Sequence, residues 1–298
     1  MRPYKAETRS DGYSEREEMD HRLENDPALD LDGAAALLAP LTELVARAGA
    51  AIRAVNREAM SIDGKADGSP VTEADLAADR VIAEGLARLF PDIPTLSEER
   101  LQLACPPYPG RLFLIDPLDG TKEFVAGRRE FTVNIALVEG GVPVLGVVGA
   151  PDLGLIWRGL VGRGAERLEM APDFRIRSVT PIRTRAMPRD GAPWIAAVSR
   201  SHGDARTEAL IDARPGAVRV PLGSALKLCR VAEGAADLYP RLAPTCEWDI
   251  AAGQAVVVAA GGIVTDSQGG AVIYGGHRAD FIVPEFIAWG DPTAVPRG

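Results

Sequence analysis

From residue 31 onward, apolar residues recur at three- and four-residue intervals, with Leu37, Leu38, Leu41, Leu44, Val45, Ala48, Ile52 and Val55 on one face of a helical wheel. The spacing predicts a long amphipathic helix ending near Ser61. A second helix is predicted from Thr72, where Thr72-Glu-Ala-Asp75 has the form of a capping pair. Leu76, Ile82, Ala83, Leu86, Leu89 and Phe90 then share a face until Pro91 stops it. Beyond that point the period shortens. Residues 112–115, 131–138, 142–149 and 155–157 read as strands, and Glu139-Gly140-Gly141 has the chemistry of a hairpin turn between the middle pair. Two helices ahead of hairpin-linked strands predict an α+β half with a mixed, largely antiparallel sheet.

Residues 172–193 are rich in Arg and Pro and read as irregular. After them come a strand (194–198), a helix (207–213), a strand (217–221) and a helix (224–233). A last helix (249–260) stops at Gly261-Gly262. This alternation predicts an α/β second half. Residues 1–30 carry many charges and no apolar period, which reads as a disordered or loosely attached extension. The expected division is therefore 1–30, an N-terminal half over 31–178 and a C-terminal half over 179–298.

Charge narrows the partners. With 33 basic and 42 acidic residues among 298, the net charge of −9 disfavours a nucleic acid polymer, and a small anionic substrate would need a cation beside it. Cys105, Cys229 and Cys246 are widely separated and form neither CxxC pairs nor a zinc-like cluster. The N-terminus lacks a signal peptide's apolar segment, and no apolar run reads as long enough to span a membrane. The compartment expected is the cytoplasm, with peripheral contact with the inner membrane left open. Monomer and homodimer are equally compatible with the sequence.

The densest chemistry lies in Leu112-Phe-Leu-Ile-Asp116-Pro117-Leu118-Asp119-Gly120-Thr121, an apolar strand running into a turn with two carboxylates. Pro117 stiffens the turn and Gly120 allows close backbone approach. Asp116, Asp119 and the Leu118 carbonyl can then face one hard cation such as Mg²⁺, which takes oxygen ligands. Gly120 and Thr121 open a short helix whose free amides suit a phosphate. The same residues would also make an ordinary Asx turn with a Thr cap. Glu98, in Leu96-Ser97-Glu98-Glu99, reads alone as a solvated loop acid. Asp249, in Glu247-Trp248-Asp249-Ile250-Ala251-Ala252-Gly253, reads alone as a helix N-cap. Asp75 is equally consistent with a capping role. Cys105 has neither the following glycines nor the Arg of a cysteine-phosphatase loop.

Taken in order, D-P-[IL]-D-G-[ST] followed much later by W-D-x-A-A-G resembles the paired signature of the inositol monophosphatase superfamily, from about Leu37 to Ala288. Ile250 stands where Thr is common in the second motif, and the N-terminal extension has no counterpart. The resemblance implies a layered α-β-α-β-α sandwich of the sugar-phosphatase type. It also implies a site for two or three Mg²⁺ ions held by Glu98, Asp116, the Leu118 carbonyl, Asp119 and Asp249, with Asp75 as an outer or third-metal ligand. Glu98 and Thr121 would activate the attacking water, and Li⁺ would inhibit. On this likeness residues 31–178 form a metal-binding half and 179–298 a substrate-binding half.

Within the superfamily the chain is most similar to the 3′(2′),5′-bisphosphate nucleotidase group, the CysQ type. Lys65-Ala-Asp67-Gly68-Ser69-Pro70-Val71-Thr72-Glu-Ala-Asp75, Leu96-Ser97-Glu98-Glu99 and Asp119-Gly-Thr-Lys122-Glu123-Phe124 carry that likeness. So does the segment from Gly223 through Ser224, Lys227, Glu233 and Asp237 to Arg241. It implies removal of the 3′-phosphate of 3′-phosphoadenosine 5′-phosphate (PAP), and of its phosphosulfate relative PAPS, in sulfur assimilation. Lys227 and Arg241 suit a second phosphate, and the loop from Ser199 to His202 would meet the nucleotide. Lys227 and Arg241 would equally serve as surface charges over apolar stems, and His202 as a surface residue. The alternatives are an inositol-1-monophosphatase or other sugar-phosphate phosphatase, and a non-catalytic phosphate- or metal-binding protein on the same scaffold.

Overall fold

Helix α1 (Leu31–Ala54) starts where Asp30 caps it, its carboxylate accepting the Gly33 amide at 2.7 Å. The structure is a computed structural model and describes residues 30–296 apart from 58, 65–69, 104–107, 109, 190, 201–202, 277 and 279. The N-terminal extension, the 65–69 segment, Cys105 and His202 therefore lie outside the described residues. Helix α1 ends at Ala54, short of Ser61, because the chain leaves it to form β1 (Ile62–Gly64), antiparallel to β2 (Pro70–Thr72). At 24 residues, with a window of mean hydropathy 1.4, α1 is long and apolar enough to cross a membrane, which corrects the reading that no such run exists. Half of that window is buried inside the protein. Leu41, Leu44, Val45, Ala48 and Ile52 form the buried face.

Helix α2 (Glu73–Leu89) opens on the capping pair its sequence predicts: Thr72 Oγ1 accepts the Ala74 amide, and Asp75 Oδ2 accepts the Thr72 amide. Next come β3 (Thr95–Ser97), β4 (Arg111–Asp119), α3 (Thr121–Val125), β5 (Thr132–Glu139), β6 (Val142–Ala150), β7 (Leu155–Leu160), β8 (Gly164–Met170) and β9 (Ile176–Ile182). Strands β3 to β9 form one seven-stranded sheet in chain order, parallel at β3/β4 and antiparallel elsewhere. Strand β9 corrects the expectation of irregular structure across 172–193. It is a sheet edge exposed along most of its length, so no buried face imposes alternation on its residues.

The chain continues through β10 (Ile195–Ser199), α4 (Ala205–Asp212), β11 (Val218–Leu222), α5 (Leu226–Ala232), β12 (Leu238–Arg241) and β13 (Thr245–Cys246). Then come α6 (Glu247–Ala259), β14 (Ile263–Thr265), β15 (Ile282–Val283) and β16 (Phe286–Trp289). A second sheet has the order β11-β10-β12-β16-β14. Its first three strands are parallel, as α/β alternation predicts, while β16 runs antiparallel to both neighbours.

Period-two alternation sorts the layers. On β4, Phe113 and Ile115 face the core shared with α1 and α2, whereas Leu112 and Leu114 face the core shared with α5 and α6. In the second sheet, Tyr239 and Ala288 face α5 and α6, while Leu238 and Trp289 pack with Ile211 of α4. The result is the expected α-β-α-β-α sandwich. Helix α6 is apolar nearly all round because both of its sides are covered.

Two glycines of the large sheet set how closely α6 docks. A Cβ at Gly146 would lie 2.1 Å from the Ala252 carbonyl oxygen, and one at Gly159 2.9 Å from the Val256 Cα. Gly146→Ala is expected to destabilise the protein by about 1–3 kcal/mol through overpacking, read from urea unfolding. Wild-type stability in that variant would show that the helix is free to retreat.

Candidate active site

On a regular strand, residues three apart face opposite sides. Strand β4 escapes this because Asp116 pairs with Asn134 and Asp119 with Thr132, three steps against two. The extra residue, within Pro117-Leu118, makes a bulge that turns Asp119 toward the cleft that Asp116 also lines. The Asp116 carboxylate accepts the Leu118 amide at 3.0 Å, which steadies the turn. Gly120 then takes φ +91°, and a Cβ there would sit 3.3 Å from both the Glu130 carbonyl and Ser224 Cβ. Its place in both motif and turn has one steric cause.

Glu98 arrives by register. Parallel pairing of Ser97 with Ile115 carries Glu98, the first residue past β3, to Asp116, the next residue of β4. Asp249 arrives from α6, which starts at Glu247 rather than at Asp249 itself. The residue is therefore in the first turn and not the N-cap: its Oδ2 accepts the Cys246 amide at 3.1 Å and the Thr245 hydroxyl. Carboxylate oxygens of Glu98, Asp116 and Asp249 lie within 4.8 Å of one another.

Asp119 lines the same cleft outside that closest trio. Burial, reinforced by the charges of Asp249 and Glu98, pushes its carboxyl up to about 7, against the opposing pull of Lys227. Asn134 Nδ2 donates to it at 3.4 Å, while the oxygen of the same amide, Oδ1, is buried with no hydrogen-bond partner among the described residues. The donors are all oxygen, and the acids repel one another. A hard divalent cation fits both facts.

Thr121 connects this cluster to α2. Its hydroxyl lies 2.9 Å from Asp75 Oδ1 and 3.2 Å from the Leu118 carbonyl, so its single proton can serve only one of them at a time. Asp75 Oδ2 is taken by the amide and hydroxyl of Thr72. Asp75 is thus a helix cap and the partner of Thr121 together. No sequence spacing announces that link, since the two residues are far apart in the chain.

The cleft encloses about 350 Å³, and Ser199, Ser224, Lys227 and Arg241 also line it. Lys227 is 3% exposed, which removes the surface-charge reading for it. Its ammonium donates to the Ser224 carbonyl at 2.6 Å, lies over the Tyr239 ring, and has Asp119 as its strongest favourable charge partner. Burial outweighs that attraction and brings its pKa down to about 8. The Arg241 guanidinium is braced by the Pro244 carbonyl at 2.9 Å. Ser224 holds a left-handed φ of 45° and hydrogen-bonds Thr132 through its hydroxyl at 3.0 Å. Sequence reading missed Glu130, which accepts the Gly223 amide at 3.0 Å and an Arg200 bond at 2.7 Å. It missed Tyr239 in the lining as well. Glu130 is one of three successive charges and Tyr239 one aromatic within the 223–241 segment, and nothing in residue type or spacing singles either out.

Comparison with known proteins places the chain in a family. The profile of the Inositol monophosphatase family matches residues 34–289. The 3′(2′),5′-bisphosphate nucleotidase CysQ of Escherichia coli K12 is 41% identical over 258 residues, covering 84% of this chain and 98% of that protein. Its Salmonella typhimurium counterpart is 42% identical with the same coverage. Among solved structures, CysQ from Bacteroides thetaiotaomicron superposes with a TM-score of 0.68 at 34% identity, covering 85% of this chain and 97% of that one. An inositol monophosphatase from Thermotoga maritima superposes with a TM-score of 0.66 at 26% identity, covering 86% and 93%. A profile match across most of the chain, joined to relatives of this identity, means that the chain belongs to the inositol monophosphatase family.

Proposed function

We propose that the protein is a Mg²⁺-dependent phosphomonoesterase that converts 3′-phosphoadenosine 5′-phosphate to AMP and phosphate and also accepts the phosphosulfate analogue. The observation that carries this reading is the meeting of Glu98, Asp116 and Asp249 within 4.8 Å, in a cleft that Lys227 and Arg241 also line. The acids suit cations and the two basic side chains a second anionic group. The relatives named as bisphosphate nucleotidases supply the nucleotide.

Glu98, Asp116, the Leu118 carbonyl, Asp119 and Asp249 would hold two or three Mg²⁺ ions, with residues 31–178 supplying most of the ligands and 179–298 most of the substrate contacts. When bound, the metal lowers the pKa of a coordinated water and offsets charge on the departing oxygen. Thr121 would donate its hydroxyl proton toward Asp75 Oδ1 and accept a hydrogen bond from the attacking water, so that as the water gives its proton to Thr121 the hydroxyl's own proton passes to Asp75, while Glu98 orients that water. The amides of Gly120 and Thr121 receive the transferred phosphate oxygens. Arg241, braced by backbone carbonyls, presents its guanidinium to the 5′-phosphate, and Ser199 and Ser224 border the nucleoside.

Asp116→Asn and Asp249→Asn are each expected to lower kcat roughly a thousandfold or more, about 4 kcal/mol of barrier. The metal-free variants should unfold at or above the wild-type temperature, because one repelling charge is gone. Turnover near wild type would overturn the metal site. In a substrate panel, PAP should exceed inositol 1-phosphate in kcat/KM, and the reverse order would replace the nucleotide with a sugar phosphate.

Protonation of Asp119 sets a pH dependence. Its pKa in the metal-free protein is raised to about 7, so below that pH the cation must displace a proton. Half-activating Mg²⁺ should therefore rise as pH falls from 8 to 6 and level off above 8, with proton release measurable by calorimetry in buffers of different ionisation heat. An affinity that stays flat over that range would contradict the assignment.

A further inference from the structure

Glu98 stands at a weak place in the fold. Strand β3 is only three residues long and forms the edge of the large sheet, and the chain leaves it through a 3₁₀ turn over Glu98–Leu103. Within that turn Arg100 departs from helical geometry, with φ −127° and ψ 27°. The parallel register ends at Ser97, so Glu98 is the first residue past the strand.

A carboxylate from another element bonds residues on either side of Glu98. Asp79, on the face of α2 one turn beyond Asp75, is 6% exposed. Its Oδ1 accepts the Ser97 hydroxyl at 2.7 Å and its Oδ2 accepts Arg100 Nε at 2.7 Å. The two bonded residues straddle Glu98 in the chain. One carboxylate thus holds side chains on both sides of the acid.

We propose that Asp79 is a positioning residue for Glu98, and that through it α2 sets the metal affinity of the site. The inference rests on the reading of Glu98 as a metal ligand. Helix α2 then orients two arms of the centre, Thr121 through Asp75 and Glu98 through Asp79, in adjacent turns of one rigid element. An exposed ion pair of this kind adds little to overall stability, since the Arg100 side chain is 39% exposed. Its value lies in geometry: outer partners of metal ligands typically govern affinity by roughly 10–100-fold.

The test uses the full chain and Mn²⁺ as a spectroscopic probe, titrated by electron paramagnetic resonance without substrate. Asp79→Ala should weaken Mn²⁺ binding roughly 10–100-fold. It should also raise half-activating Mg²⁺ by a similar factor while kcat at saturating metal falls less. Asp79→Asn, which keeps an acceptor for Ser97 but loses the charge pair, should fall between Asp79→Ala and wild type, and provides the measurement should the alanine variant fail to fold. Arg100→Met should match Asp79→Asn, and the double variant should be no worse than either single one. Wild-type Mn²⁺ affinity in a folded Asp79 variant, or additive effects in the double variant, would overturn the proposal. Absence of Mn²⁺ binding by the wild type would instead remove the metal site beneath it.

Discussion

Electrostatic repulsion among clustered acids is the constraint on which the rest of this structure depends. Two carboxylates about 5 Å apart repel by about 3 kcal/mol at an effective dielectric near 20, and burial adds to the cost of charging each one. Glu98, Asp116 and Asp249 nevertheless lie within 4.8 Å of one another, and Asp119 is close enough to feel two of them. Such a set persists only because each member is held by a different rigid feature. Asp116 sits in the interior of a long strand, Asp119 beyond a bulge, Glu98 between two residues bonded to Asp79, and Asp249 in the first turn of a helix covered on both sides. Lys227, buried in the same cleft, supplies a counter-charge to Asp119. Its location recasts a residue that reads from sequence as a phosphate contact: part of its attraction is already directed at the acids.

The helices and the strands with a buried face were legible because their periodicity is imposed by those faces. Leu41, Leu44, Val45 and Ile52 recur as they do because the large sheet covers them, and Phe113 alternates with Leu114 because separate cores lie on either side of β4. The candidate ligands were legible for another reason. A turn that must present two carboxylates and admit a close backbone approach has little freedom of residue choice, and Gly120 shows that pressure directly.

What escaped the sequence is what depends on pairing between distant segments. Strand β9 has no covered face to shape its residues, so only its hydrogen bonds to β8 reveal it. The contact between Asp75 and Thr121, the bridge from Glu130 to Gly223, and the burial of Lys227 all join parts of the chain whose separation carries no local pattern. Asp249 illustrates a milder case. Both a cap and a metal ligand explain an acid at a helix start, and its carboxylate in fact accepts the Cys246 amide while lining the cleft.

The tight seat of α6 on Gly146 and Gly159 has a mechanical consequence. Because that helix carries Asp249 while the large sheet carries Asp116, sliding of one layer over the other would move one acid against the other, and the backbone contacts at Gly146 and Gly159 resist it. Relative motion of these two layers is therefore a poor route for ligand entry, and exchange at this centre falls to the side chains and loops that line the cleft, Ser199, Arg241 and Pro70 among them.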